Sequence, residues 1–300
     1  MPAISDEQPA DQLRIGSVLN KSSPVPLREA RHLLAHVFGQ SREWLIAHPE
    51  AALTPEQTQQ FDDLLAQAAT GAPLPYLLGE WEFFGLKFNV TPDVLIPRPE
   101  TELLVERALA QSKIQNQKSK ILDVGTGSGI IAVTLATKLP NAEITATDIS
   151  SAALAVAHAN AEKHNVADRL TFIESDLLSF RNPPASRAFH IIAANLPYIP
   201  SADLNSLAVA KHEPRLALDG GPDGLGLIRR LLADAPEALA PEGCILLEIE
   251  YRQAEAVVAL AKAAFPDARL KAHKDLAGLD RVVEVDARRS DGLNPPRAML

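Results

Sequence analysis

Four consecutive residues, Asn195-Leu196-Pro197-Tyr198, follow the apolar run Ile191-Ile192-Ala193-Ala194 and together could hold one planar amino group. The Asn195 side-chain oxygen and the Leu196 main-chain carbonyl are both acceptors. Pro197 fixes its own φ and biases Leu196 toward extended backbone, which holds that carbonyl in place. Tyr198 offers an aromatic wall. Asn and Pro also favour turns, so the same four residues taken alone could be a turn after a strand.

Three other segments carry similar polar ends. Asp123-Val-Gly125-Thr126-Gly127-Ser128-Gly129 ends one apolar run in a glycine turn, where the backbone can approach a ligand and the next helix can face a polar group. A dinucleotide fingerprint would need glycine at position 130, which is Ile130, and no Gly-Lys-Ser/Thr follows. Asp148 ends the next run and is placed to accept two vicinal ribose hydroxyls, although it could equally cap the following helix. Asp176, in Glu174-Ser175-Asp176, ends a third run and could meet an adenine amino group. The combination points to an adenosine-containing cofactor without a pyrophosphate.

Such residues need a sheet to bring them to one edge. After Pro99 the pattern alternates. Helical stretches at Glu100 to Gln111, Ile130 to Leu139, Ser150 to His164, Gly224 to Leu239 and Gln253 to Phe265 separate apolar runs. Those runs are KILDV, AEITATD, RLTFIESD, HIIAAN, CILLEIE and two final candidates, from Ala268 and from Arg281. This alternation predicts an α/β doubly wound parallel sheet covered by helices, with ligands at the carboxyl ends of its strands. Before it, Leu27, Ala30, Leu33, Leu34 and Val37 share a helical face ended by Gly39, and Thr54-Pro55-Glu56 reads as a helix start, so four or five short helices are expected. Between them, Trp81, Phe83, Phe84, Phe88 and Val90 around Gly85 predict a packed β-hairpin. The resulting boundaries are 1–78 for the helical region, 79–98 for the hairpin linker, 99–286 for the sheet domain and 287–300 for a disordered tail.

Composition narrows the partners. The 300 residues carry a net charge of −9, and the segment up to Asp93 holds twelve acidic residues against six basic ones. Nucleic-acid binders usually present a basic face, so DNA or RNA is not expected as a direct partner. No run of eighteen apolar residues exists to cross a membrane, and the N-terminus is acidic and polar rather than basic then apolar. One cysteine, Cys244, precludes an internal disulfide, and no Cys/His cluster suggests a metal. A cytoplasmic protein is expected.

The polar strand ends resemble those of class I S-adenosylmethionine-dependent methyltransferases. Asn195-Leu196-Pro197-Tyr198 resembles the Asn-Pro-Pro-Tyr motif shared by DNA adenine, ribosomal RNA adenine and protein glutamine methyltransferases. Its flanks look like the HemK/PrmC family of release factor glutamine methyltransferases. They are Pro75-Tyr76-Leu-Leu-Gly79, Glu82-Phe83-Phe84-Gly85-Leu86, Val94-Leu-Ile-Pro-Arg98-Pro-Glu-Thr-Glu102 and His212-Glu-Pro-Arg through Asp223-Gly224. The likeness runs from about Leu27 to Val285 and departs at Leu196, where the family usually has proline.

The resemblance implies a Rossmann-like methyltransferase sheet with a small all-helical N-terminal domain joined by a β-hairpin. It implies methyl transfer from S-adenosylmethionine to the side-chain amide of the glutamine in the Gly-Gly-Gln loop of peptide chain release factors. Asn195, Leu196, Pro197 and Tyr198 would be catalytic. Gly125, Thr126, Gly127, Ser128, Gly129, Asp148, Asp176, Leu177 and Asn195 would bind the cofactor, and no metal is implied. The helical region would dock the substrate, or serve stability alone. Arg98 and Glu100 would close over the cofactor, or form a structural ion pair. His212-Glu213-Pro214-Arg215 would shape the acceptor side. The chain is expected to act as a monomer. An N6-adenine methyltransferase acting on RNA or DNA is the alternative, and a catalytically silent cofactor-binding scaffold is a third reading.

Overall fold

A computed structural model describes residues 13–20, 23–114, 119–180 and 189–288. The chain divides into two compact units, at Met1–Gly79 and Glu80–Leu300. Most of the tail expected to be disordered, residues 289–300, lies outside the described residues.

The first unit contains five helices among its described residues: α1 (Ile15–Asn20), α2 (Leu27–Phe38), α3 (Arg42–Ala47), α4 (Pro55–Ala69) and α5 (Leu74–Leu78). Ala30, Leu33 and Leu34 of α2 pack with Ile15, Leu45 and Phe61 in one core, while Leu27 of the expected apolar face remains exposed. Gly39 ends α2 in the left-handed conformation. Thr54 and Gln57 form a reciprocal capping box at the start of α4, with Pro55 at its first position.

The second unit opens with the hairpin β1 (Glu80–Phe83) and β2 (Leu86–Asn89). Phe84 and Gly85 both have positive φ, the two-residue turn whose twist matches that of paired strands. Then follow α6 (Thr101–Ile114), β3 (Lys120–Val124), α7 (Ile130–Lys138), β4 (Glu143–Asp148), α8 (Ser151–Lys163), β5 (Leu170–Glu174) and β6 (Phe189–Ala194). The chain continues through α9 (Gly226–Ala238), β7 (Leu239–Glu248), α10 (Ala254–Ala264), β8 (Arg269–Lys274) and β9 (Asp280–Asp286). Seven strands form one sheet in the order β5-β4-β3-β6-β7-β9-β8.

Period-two alternation divides each central strand between two cores. Ile121 of β3, Ile191 and Ala193 of β6 and Leu246 of β7 face α6, α7 and the hairpin aromatics Phe83 and Phe88. Leu122, Val124, Ile192, Ala194, Ile245 and Leu247 face α9 and α10. A sheet covered on both faces explains why these strands read as continuous apolar runs.

The sheet differs from the expected parallel one at its far edge, where β9 pairs antiparallel with both β7 and β8. Only five residues separate β8 from β9, and in that turn Asp275 accepts the N–H groups of Ala277 and Leu279. So short a connection cannot make a parallel crossover, which needs a dozen or more residues.

Candidate active site

The chain winds β3, β4, β5 in one direction and then returns to place β6 on the other side of β3. Strand order therefore reverses between β3 and β6, and a crevice opens at their carboxyl ends. The glycine turn follows β3 and Asn195 follows β6, so the two segments flank that crevice. A cavity of about 460 Å³ occupies it, within the range of small-ligand sites. Gly125, Thr126, Gly127, Ser128, Asp148, Asp176, Leu177, Asn195, Leu196 and Pro197 all line it.

Gly129 and Tyr198 do not line the cavity, and each has a visible reason. At Gly129, φ is +82° and an added Cβ would lie 3.1 Å from Ala157 and 3.3 Å from Val133. That glycine lets α7 approach α8. Tyr198 instead has its main-chain carbonyl held by Gln253 Nε2 at 3.0 Å, and burial raises its hydroxyl pKa. The aromatic wall expected from Tyr198 is thus not part of the cavity lining.

The glycine turn and Asp148 form one hydrogen-bonded unit. Asp148 Oδ2 accepts Gly127 N–H at 2.9 Å and Oδ1 accepts Ser150 N–H at 2.9 Å. Ser150, not Asp148, caps α8, its hydroxyl accepting Ala153 N–H. Burial raises the Asp148 pKa, opposed by the backbone N–H groups of Ser150, Gly127 and Ile149. Each carboxylate oxygen retains acceptor capacity for a hydroxyl. At the rim, Asp176 Oδ2 receives Arg230 at 2.8 Å, with both side chains about half exposed. Ile149 and Leu216, both largely exposed, add apolar lining.

Asp123 lies behind the turn, fully buried. Its Oδ2 accepts Thr126 Oγ1 at 2.7 Å and Ala132 N–H at 3.1 Å, whereas Oδ1 has no partner among the described residues. Burial pushes its pKa up to about 7. Asn160 of α8, also buried, fixes the turn from the other side. Its Nδ2 donates to the Ser128 carbonyl at 2.8 Å and the Asn89 carbonyl at 3.0 Å, and its Oδ1 accepts Asn89 N–H at 2.7 Å. The hairpin is thereby stitched to the glycine turn.

On the acceptor side, Asn195 Nδ2 donates to Thr101 Oγ1 at 3.1 Å. Leu196 is buried, and its Cδ2 would stand 3.1 Å from a Cβ at Gly125, so this leucine closes against the glycine turn. Gly220 lies against the backbone of Pro197 and Tyr198: an added Cβ would fall 2.7 Å from the Pro197 carbonyl oxygen. Glu213, buried, accepts Ile96 N–H at 3.0 Å and pairs with Arg98. Arg98 is therefore in an ion pair with Glu213, and Pro214 and Ala217 beside that glutamate line the cavity.

Known proteins share both units. The family model described as PrmC N-terminal domain matches residues 14–79, and the methyltransferase small domain model matches residues 99–211. A release factor glutamine methyltransferase of Bordetella pertussis is 42% identical over 86% of this chain and 94% of its own length. The chain belongs to the release factor glutamine methyltransferase family. Another member, from Moorella thermoacetica, is 44% identical over 85% of this chain and 89% of its own length. Among solved structures, the hMettl16 catalytic domain in complex with a MAT2A 3′UTR hairpin aligns with a TM-score of 0.55 at 14% identity, covering 76% of this chain and 83% of that one. At that identity it bears on the fold alone.

Several site residues escape a reading of the sequence as a release factor glutamine methyltransferase. Asn160 sits in an alanine-rich helix with no local signal. Arg230 and Ile149 look like ordinary surface residues.

Proposed function

We propose that this chain transfers a methyl group from S-adenosylmethionine to the side-chain amide nitrogen of the glutamine in the Gly-Gly-Gln loop of peptide chain release factors. The observation that carries this reading is that Asn195 and Leu196, adjacent residues each bearing an acceptor, line the same cavity as Asp148 and a bare glycine turn. Membership in the family supports the protein substrate over an adenine base.

The residues present fit the cofactor. Gly127 has φ +56° with open space around it, leaving bare backbone toward the cavity. Asp148 accepts a ribose diol, and Ile149 and Leu177 offer apolar faces to adenine, with Asp176 near its amino group. Gly125 to Ser128 follow the methionine portion. S-adenosylmethionine supplies a methyl group on a cationic sulfur that departs as a neutral thioether.

An amide nitrogen is a poor nucleophile because its lone pair is delocalised into the carbonyl. Asn195 Oδ1 and the Leu196 carbonyl each accept one N–H of the substrate amide and so direct its lone pair at the methyl carbon. Positioning of this kind, with acceptors preorganised for the charge that develops on N–H, supplies the catalysis. The nitrogen becomes acidic once alkylated and loses its proton to water, so no strong base is required.

The helical unit, Met1–Gly79, docks the release factor, and its acidic balance suits a protein substrate better than a phosphate backbone. The enzyme works in the cytoplasm as a monomer. Among the described residues, no helix is long and apolar enough to cross a membrane. The test is transfer of labelled methyl to a purified release factor, abolished when the glutamine of its Gly-Gly-Gln loop is replaced. Transfer to RNA or DNA with none to the release factor overturns the reading.

A further inference from the structure

Glu248 ends β7 in a position that the chemistry above leaves unused. It is 1% exposed, and its Oε2 has no hydrogen-bond partner among the described residues. Charged side chains are almost never so buried without a reason. In the register of β6 against β7, Ala194 lies opposite Leu247, which brings the next residues, Asn195 and Glu248, side by side. Thr101, fully buried at the start of α6, is the third member of this group.

Burial pushes the Glu248 pKa up to about 7, opposed by the neighbouring Thr101 hydroxyl, the charge of Arg281 and the Asn195 amide, while Glu100 adds repulsion. The Thr101 hydroxyl has one proton and two lone pairs. If that proton goes to Glu248, a lone pair is left to accept Asn195 Nδ2, the bond seen at 3.1 Å. The order Asn195 N–H to Thr101 oxygen, then Thr101 O–H to the carboxylate, is the one that the ionised form of Glu248, an acceptor only, enforces.

We infer that Glu248 is a positioning residue which, through Thr101, sets the direction of the Asn195 amide. A terminal amide turned by half a revolution exchanges acceptor for donor at nearly the same shape. In the turned state Asn195 would present N–H to a substrate that also presents N–H, and the site would lose one of its two acceptors. With Nδ2 held on the Glu248 side, Oδ1 is left for the cavity. Glu248 itself does not line the cavity.

This inference rests on the methyl transfer proposed above, and two kinds of measurement separate their fates. The first is kinetics on a release factor. Glu248→Gln can donate as well as accept and so permits the turned amide. It should lower kcat about tenfold or more while cofactor affinity stays within about twofold and the melting temperature does not fall, since it removes a buried, half-satisfied carboxylate. Thr101→Val should lower kcat similarly, Thr101→Ser should restore it, and Glu248→Gln combined with Thr101→Val should cost little more than either alone. A kcat within twofold of wild type for both single variants overturns the inference. So does a loss that Thr101→Ser fails to rescue.

The second measurement needs no substrate. The 15N side-chain amide signals of Asn195, assigned by their disappearance in Asn195→Asp, should form one slowly exchanging pair in the wild type. They should shift and exchange faster in Glu248→Gln and Thr101→Val. Unmoved signals overturn the inference even if the release factor proves not to be the substrate, and the shifts sustain it in that same case.

Discussion

Asp148 Oδ2 accepts the backbone N–H of Gly127 at 2.9 Å, joining the acid that ends β4 to the glycine turn that ends β3. One carboxylate thus shapes the turn and faces the cavity that the turn lines. Replacing Asp148 by alanine removes both functions. Hydrogen bonds to a charged group contribute about 1.5–3 kcal/mol each, so affinity for S-adenosylmethionine should fall by at least about tenfold, as measured by titration calorimetry. Unchanged affinity would remove Asp148 from the cofactor site.

Asn195→Ala removes one of the two acceptors proposed for the substrate amide. Loss of a single preorganised hydrogen-bonding group in an active site costs about a hundredfold to a thousandfold in kcat. Single-turnover methylation of a release factor should show a loss of that order. A decrease of less than threefold would mean that the Leu196 carbonyl suffices.

Gly220 tests the support of the motif from behind. A Cβ there would meet the Gly224 and Pro197 carbonyl oxygens at 2.7 Å and Tyr198 Cα at 2.8 Å, all of them backbone. Gly220→Ala should therefore displace Pro197 and Tyr198, lowering kcat as well as stability, with an overpacking cost of about 1–3 kcal/mol. Gly278→Ala is the control, at φ +80° with nothing within 4 Å in the turn before β9. It should cost about 1 kcal/mol through backbone conformation alone and leave methyl transfer intact. Paired thermal melts and activity assays distinguish the two.

Asp123 predicts a pH dependence of stability. Its ordinary pKa of 3.8 applies to the unfolded chain, and burial pushes the folded value up to about 7. Between those values the folded protein holds a proton that the unfolded chain has released. Stability from this group is therefore present at low pH and falls as pH rises through that window. Asp123→Asn keeps an acceptor for Thr126 and Ala132 but cannot ionise. Its stability relative to wild type should rise from about pH 4 to about pH 7 and level off above that, by about 1.4 kcal/mol for each pH unit within the window. Parallel denaturation curves across that range would refute the assignment.

Much of this protein was written locally. The apolar runs with polar ends, the Thr54 cap and the Phe84-Gly85 turn depend on residues within a few positions of each other, so the alternation of strands and helices was legible in order and type. Asn195-Leu196-Pro197-Tyr198 was legible for the same reason, since its two acceptors are adjacent in the chain. Tertiary structure alone decided what those residues meet. Thr101 reaches Asn195 across 94 positions, and Glu213 reaches Ile96 across 117. Asn160 holds Ser128 and Asn89 from a helix that looked featureless. Such pairings follow from the order in which strands enter the sheet, and that order is set by which faces bury together, not by any single segment. The same cause took Tyr198 and Gly129 out of the cavity wall and brought a buried glutamate beside the asparagine, whereas the reversal of β9 follows from its five-residue connection to β8.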